Sequence, residues 1–296
     1  MKKIIVGLLL STLSLNAQTM NKNIYPCLWF DNNAKEAAEF YVNVFDNSKI
    51  TSENPLVVEF ELNGVRFMGL NGGGQFSPNP AVSYFVYCGG DHNKIESLFR
   101  KLSEGGMVLF PLDKYDWSEK YAWVQDKFGV NWQLDIDAIN HPQKIVPALL
   151  FTNKKAMQVK EAAAFYTSVF KDSKILMEYP FPDGENLLFT QFKLNNYLFN
   201  AMSGGAEKHK FDFSEGNSFV IECDTQDQID YYWNMFANEG KEDMCGWVQD
   251  KYGVWWQVVP TILKELMTNP EKAQKVTEAF MKMKKFDIET LRKSAE

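Results

Sequence analysis

The residues best placed to do chemistry are two glutamines, Gln133 and Gln257. Each closes an eleven-residue stretch that occurs twice, WVQDKFGVNWQ from Trp123 and WVQDKYGVWWQ from Trp247, with nine positions identical. A carboxamide carries a donor and an acceptor without charge, so each glutamine suits a neutral polar ligand or a water, or else satisfies strand-end groups of its own sheet. Tyr25, Trp29 and Trp255 alternate onto the same faces, and an apolar wall with a few convergent polar groups is the usual lining of a small-molecule pocket. Other reactive types are scattered. His92, His141 and His209 fall at a helix start, in a linker and in a loop, where a solvated imidazole is expected. The four cysteines, Cys27, Cys88, Cys223 and Cys245, have no C-x-x-C spacing, which argues against a zinc knuckle or thioredoxin site. Cys88 and Cys223 hold matching places in the two copies, which predicts buried strand ends and no bridge between them. Gly72, Gly73 and Gly74 end a hairpin without preceding a helix, so no turn for a nucleoside cofactor is indicated.

The elements that must position these groups follow from the repeat. Asp126 and Lys127 open a turn, Gly129 supplies the positive φ of a short hairpin loop, and alternation then resumes with Val130, Trp132 and Leu134 on one face. Ile24 to Phe30 reads as a strand, Ala34 to Phe45 as an amphipathic helix, and Val57 to Leu62 and Val65 to Leu70 as strands joined by an Asn63-Gly64 turn, with a further strand near Ile50. Ala81 to Cys88, a helix from Asp91 to Leu102 and the two strands of WVQDKFGVNWQ repeat that order. Residues 107 to 122 form a longer aromatic insertion, either a lid or an elaborated hairpin, where the second copy has about six residues.

The pattern then restarts. EAAAFY at Glu161 answers EAAEFY at Glu36, VFKDSKI answers VFDNSKI, and SFVIEC at Ser218 answers the strand ending at Cys88. Four strand-helix-strand-strand-strand units result, paired into domains over residues 22 to 137 and 146 to 260, with a linker at 138 to 145. The tail, 261 to 296, predicts a helix with Val276, Ala279, Phe280, Met283 and Phe286 on one stripe, covering a barrel or a dimer partner. At 296 residues with 45% hydrophobic and 23% charged content the chain can build two real cores. A net charge of -7 argues against nucleic acid or an anionic membrane as partner, leaving a small organic molecule or another protein.

PCLWFDNNAKEAAEFY, VFDNSKI, FMGLNGG and WVQDKFGVNWQ resemble the PhnB-like proteins of the vicinal oxygen chelate superfamily, the superfamily of glyoxalases, bleomycin resistance proteins and dioxygenases. These relatives are also labelled 3-demethylubiquinone-9 3-methyltransferase-like. The resemblance covers Ile24 to Val259 and the tail, and implies an α+β fold of four βαβββ modules forming two open cavities. It implies metal ligands on cavity-facing strand positions, which fall here, within a residue or two, at Tyr25, Gly69, Ser83, Gln133, Val146, Asn200, Ser218 and Gln257. None is His, Asp or Glu, and hydroxyls and amides are poor ligands for a transition metal. Cys27 and Glu222 could substitute.

The reading that follows is a metal-free small-molecule-binding protein, without resident metal or cofactor, whose ligand meets Tyr25, Trp29, Ser83, Gln133, Asn200, Ser218, Glu222 and Gln257. The alternatives are a glyoxalase or dioxygenase with unusual ligands, a methyltransferase as the label implies, and an assembly protein with collapsed cavities. A homodimer is compatible with each. Residues 1 to 19, with Lys2 and Lys3 before the apolar run Ile4 to Leu10, read as a secretory signal cut after Ala17, giving a periplasmic or secreted protein. A start at Met20 would leave it cytoplasmic.

Overall fold

The computed structural model describes residues 23–182 and 184–296, so the proposed signal lies outside the described residues. Four units appear in the expected order. The first is β1 (Ile24–Phe30), α1 (Ala34–Val44), β2 (Lys49–Glu53), β3 (Val57–Leu62) and β4 (Val65–Asn71), and the second is β5 (Val82–Tyr87), α2 (His92–Ser103), β6 (Met107–Tyr115), β7 (Ser118–Gln125) and β8 (Asn131–Asp135). The third comprises β9 (Ile145–Phe151), α3 (Val159–Val169), β10 (Lys174–Pro180), β11 (Leu187–Leu194) and β12 (Tyr197–Ser203). In the fourth are β13 (Asn217–Cys223), α4 (Gln226–Ala237), β14 (Lys241–Glu242), β15 (Trp247–Gln249) and β16 (Trp255–Pro260). The expected single tail helix is three, α5 (Ile262–Leu266), α6 (Pro270–Phe280) and α7 (Ile288–Ser294).

The repeated stretch is built around its aspartate. Asp126 accepts from the backbone N–H groups of Phe128 at 2.8 Å and Val130 at 3.1 Å and from the Trp132 indole at 2.8 Å. Asp250 does the same with Tyr252, Val254 and Trp256, and adds the Tyr166 hydroxyl at 2.8 Å. Gly129 and Gly253, at φ 86° and 92°, close the two loops. Burial pushes both carboxyls up to about 6, against the opposing pull of these donors.

Two eight-stranded sheets form, and they cross the sequence halves. The first runs β14-β15-β16-β13-β1-β4-β3-β2, joining the opening unit to the last; the second runs β10-β11-β12-β9-β5-β8-β7-β6, joining the two middle units. The seam of the first sheet is an antiparallel pair with Ile24 opposite Ile221 and Cys27 opposite Ser218, and that of the second sets Val82 opposite Leu149. Each unit thus finds its partner edge in the other half, and each sheet is built by one unit from each half.

The helix-bearing faces keep to the halves. Tyr41 and Phe67 contact Trp132, and Phe67 also contacts Tyr84, all in the first half. Tyr166, Phe199, Phe219 and Phe236 surround Trp256 in the second. Rings thus close a core inside each half while hydrogen bonds stitch the halves together, and this leaves the helix-free face of each sheet to form a cavity. The two roles are assigned by the two-residue period of a strand, Phe67 and Trp256 pointing one way, Met68 and Trp255 the other.

Of the two readings of residues 107 to 122, the structure shows the elaborated hairpin, with β6 as an exposed edge strand. In the fourth unit that hairpin is cut to a stub and the tail takes its place. Cys245 and Gly246 N–H groups donate to the carbonyls of Met283 and Lys284, both at 2.7 Å, and Phe286 packs so closely that a Cβ at Gly246 would lie 2.4 Å from its ring.

Candidate functional site

The first cavity is floored by the helix-free faces of β1, β4, β13 and β16. Register places Trp255, Ser218, Cys27 and Met68 in one row and Gln257, Val220 and Tyr25 in the next. Gln257 donates to Ser218 Oγ at 3.0 Å, and burial raises the neighbouring Cys27 thiol to about 12, which keeps it protonated and a poor nucleophile. Beside Tyr25 the floor becomes ionic. The Arg66 guanidinium lies 3.8 Å from the centre of the Tyr25 ring, donates to Glu59 at 2.8 Å and pairs with Glu222 at 2.9 Å. Tyr25 donates to the same Glu222 oxygen at 3.0 Å, and Lys264 of α5 reaches Glu59 at 2.9 Å. An open pocket of about 370 Å³ adjoins this network, lined by Thr51, Glu59, Glu61, Arg66, Glu222, Thr261 and Lys264.

Electrostatics in this floor follow from contact. Burial, and after it the Glu222 carboxylate, raise the Tyr25 hydroxyl well above its ordinary value, so Tyr25 is a donor here and not a base. Burial pushes Glu59 up, but hydrogen bonds from Lys264 and Arg66 outweigh it and hold its carboxyl below the usual value.

Toward the other end the cavity is aromatic. Trp247 stands edge-on to Trp29 at 6.0 Å and to Trp255 at 6.2 Å. Trp29 spends its indole N–H on the Gly73 carbonyl at 2.7 Å, and a Cβ at Gly72 would lie 2.1 Å from its ring. Of the three glycines, Gly72 is the one this close approach requires. Trp255, only 2% exposed, makes no hydrogen bond through Nε1. A buried donor left unpaired costs on the order of 1–3 kcal/mol.

The second cavity has a different interior. Gln133 donates to Ser83 Oγ at 2.7 Å and accepts a short hydrogen bond from the Tyr121 hydroxyl. Gln191 donates to Asn200 at 2.9 Å, and the Tyr87 hydroxyl accepts from both amides at 3.3 Å. Trp123 donates its indole N–H to Asn131 at 3.2 Å. Phe85 fills the middle, 6.2 Å from Tyr121 and 6.0 Å from Phe189, and Phe110 of the long hairpin stacks on Trp123.

The residues singled out from sequence thus divide. Tyr25, Trp29, Ser218, Glu222 and Gln257 share the first cavity, while Ser83, Gln133 and Asn200 lie in the second, so they do not form one site. Gly69 is turned the other way, with Ala34 and Phe30 as the nearest neighbours of a Cβ built there, and the cavity positions are Met68 and Leu70. His141, expected to be solvated, is 8% exposed, and its Nδ1 accepts from the Gln143 N–H at 3.1 Å. Trp255, expected on the pocket face, is enclosed. Sequence reading missed Arg66, Glu59 and Lys264. A signal was present, since Arg66 alternates with the buried Val65 and Phe67, and Glu59 with Val58 and Phe60, on adjacent strands of one hairpin.

The donor set does not fit a divalent metal of the glyoxalase kind. No group of three or more His, Cys, Asp or Glu side chains converges among the described residues. The two carboxylates that approach one another, Glu59 and Glu222, hold the Arg66 cation between them, and the nearby thiol stays protonated. A nucleoside methyl donor finds no fit either at the glycine triplet, which follows β4 and leads to β5 with no helix between.

Comparison with known proteins accords with the duplication. The family model described as 3-demethylubiquinone-9 3-methyltransferase matches residues 22–135 and again 143–259. A PhnB protein from Bacillus cereus is 35% identical over 38% of this chain and 96% of its own length, with a TM-score of 0.35. A protein from Staphylococcus aureus is 33% identical over 40% of this chain and 99% of its own, with a TM-score of 0.19. Glyoxalase I from Zea mays is 13% identical over 82% of this chain and 94% of its own, and its TM-score of 0.55 shows the shared fold. No curated protein matches the chain.

Proposed function

The chain belongs to the 3-demethylubiquinone-9 3-methyltransferase family of the vicinal oxygen chelate superfamily, matched over both halves, and from that premise we propose that it binds a small organic molecule in the first cavity without a metal. One contrast carries the reading. The row beside Gln257 holds Val220 and Tyr25 where the second cavity has Phe85 and Val146, so its ring stands on β1, tied to Glu222 and Arg66, and not on the central strand β13. The first cavity also keeps an unspent donor, Trp255 Nε1, and adjoins an open ionic pocket, whereas the polar groups of the second satisfy one another.

The test is to place a ring on the central strand as well. Val220→Phe is expected to abolish the thermal shift that small aromatic ligands give the native chain, with a stability change of about 1–3 kcal/mol for overpacking. Retained binding in a folded Val220→Phe variant would move the receptacle elsewhere. The methyltransferase of the family description is a separate matter, checked by calorimetry with S-adenosylmethionine, for which we expect no micromolar binding. Export through residues 1 to 19 is likewise proposed, on the composition of that stretch. N-terminal sequencing of the native protein is expected to begin at Gln18, and a start at Met20 would remove it.

A further inference from the structure

We propose that the first cavity takes a flat conjugated molecule bearing a carbonyl or carboxylate oxygen, oriented by a hydrogen bond from Trp255 Nε1. The inference rests on the first cavity being the receptacle. Its second, independent support is the unpaired indole itself. Trp255 lies on the cavity face of β16, in register with Ser218 and two residues from Gln257, and its N–H is enclosed without an acceptor. The matching position of the second cavity shows what a purely structural solution looks like, because there Asn131 supplies the oxygen that Trp123 requires. In the first cavity that asparagine is replaced by Trp255, and the change removes an acceptor while adding a donor. The enclosed Trp255 indole is then left to be satisfied from outside the chain, whereas Trp247 is only half-buried.

Three further features define the ligand. The edge-on rings of Trp29 and Trp247 offer apolar surface to a flat body. Lys241 Nζ lies 5.5 Å from the centre of the Trp255 ring, which favours partial or full negative charge on the acceptor at this end. Glu59, Glu61 and Glu222 line the opposite end, which disfavours a second anionic group there. The ligand is therefore an oxygen acceptor at one end only, with a conjugated, apolar middle.

The experiment uses the full chain with ¹⁵N-labelled indoles and three probes: acetophenone as carbonyl acceptor, benzoate as anionic acceptor, and ethylbenzene as the acceptor-free control. The Trp255 Nε1–H resonance is expected to move downfield with the first two and not with the third. Trp255→Phe, which keeps an aromatic ring and removes the donor, is expected to weaken acetophenone about 3–10-fold and leave ethylbenzene unchanged. If all three probes bind the native chain and the variant alike, the donor role is refuted while the first cavity survives as the receptacle. If no probe perturbs Trp29, Trp247 or Trp255, the receptacle reading falls and this inference with it. A Trp255 resonance that stays fixed under saturating acetophenone, its partner being a water only, also overturns the proposal, and this readout does not depend on the variant folding.

Discussion

The two cavities descend from one pattern and have been finished in opposite ways. Ser83 and Gln133 in one, and Ser218 and Gln257 in the other, make the same amide-to-hydroxyl hydrogen bond, so the polar centre of the floor is common. Around it, Phe85, Tyr87 and Asn131 are exchanged for Val220, Glu222 and Trp255 at equivalent strand positions. In the second cavity the rings meet and each polar group has a partner within the wall. The first cavity instead has a smaller side chain on its central strand, a fixed internal cation at one end and the unsatisfied Trp255 indole at the other. A duplicated scaffold can carry such divergence because the helix-bearing core keeps its central ring, Trp132 in one half and Trp256 in the other.

The comparison can be broken first at what the halves share. Asp126→Ala and Asp250→Ala each strip the acceptor from two backbone N–H groups and an indole in a buried turn. We expect about 4 kcal/mol of destabilisation in either case, read by denaturant unfolding. A large effect at one site alone would show that the repeated stretch is not an equal anchor in both halves. Since both carboxyls are raised by burial to about 6 from an ordinary 3.8, the folded state binds protons more readily than the unfolded one between these values. Stability should therefore fall as pH rises from about 4 to 6, by about 2 kcal/mol per aspartate, and Asp→Asn at either site should flatten that part of the profile.

Next comes the exchanged residue. Phe85→Val is expected to cost about 2–3 kcal/mol through the space it opens, and to create in the second cavity a site for ethylbenzene that the native chain lacks there. Collapse of Tyr121 and Phe189 into the gap, with no ligand gained, would mean that the long hairpin and not the ring closes this cavity.

The smallest effect is expected at the ionic floor. Arg66→Met removes the cation between Glu59 and Glu222, both partly in contact with water, so the loss is about 1–2 kcal/mol at neutral pH after screening. Glu59 is held below its ordinary value in the native chain, so the stability its pairing provides is present at neutral pH and lost as pH falls into the acid range. That acid-side loss should shrink in Arg66→Met. An unchanged acid limb would assign the Glu59 shift to Lys264 alone.

Much of the fold was legible because strand and helix periods, turn glycines and a repeated sequence are local properties. Asn63-Gly64 makes the expected hairpin turn with both φ values positive, and the duplicated WVQDK stretches fall on matching hairpins. Strand alternation also sets Gln133, Gln257 and Tyr25 on the faces opposite the ring-filled cores. Pairing between units was not legible. Every unit has the same strand pattern, so an edge that joins β1 to β13 reads no differently from one that joins β1 to β5, and the choice is made by packing across nearly two hundred residues. For the same reason the sequence determined the modules, their faces and the polar centre of each floor. Only the tertiary structure decided which faces meet, and with that where the Arg66 cation finds its carboxylates and where the Trp255 donor is left without a partner.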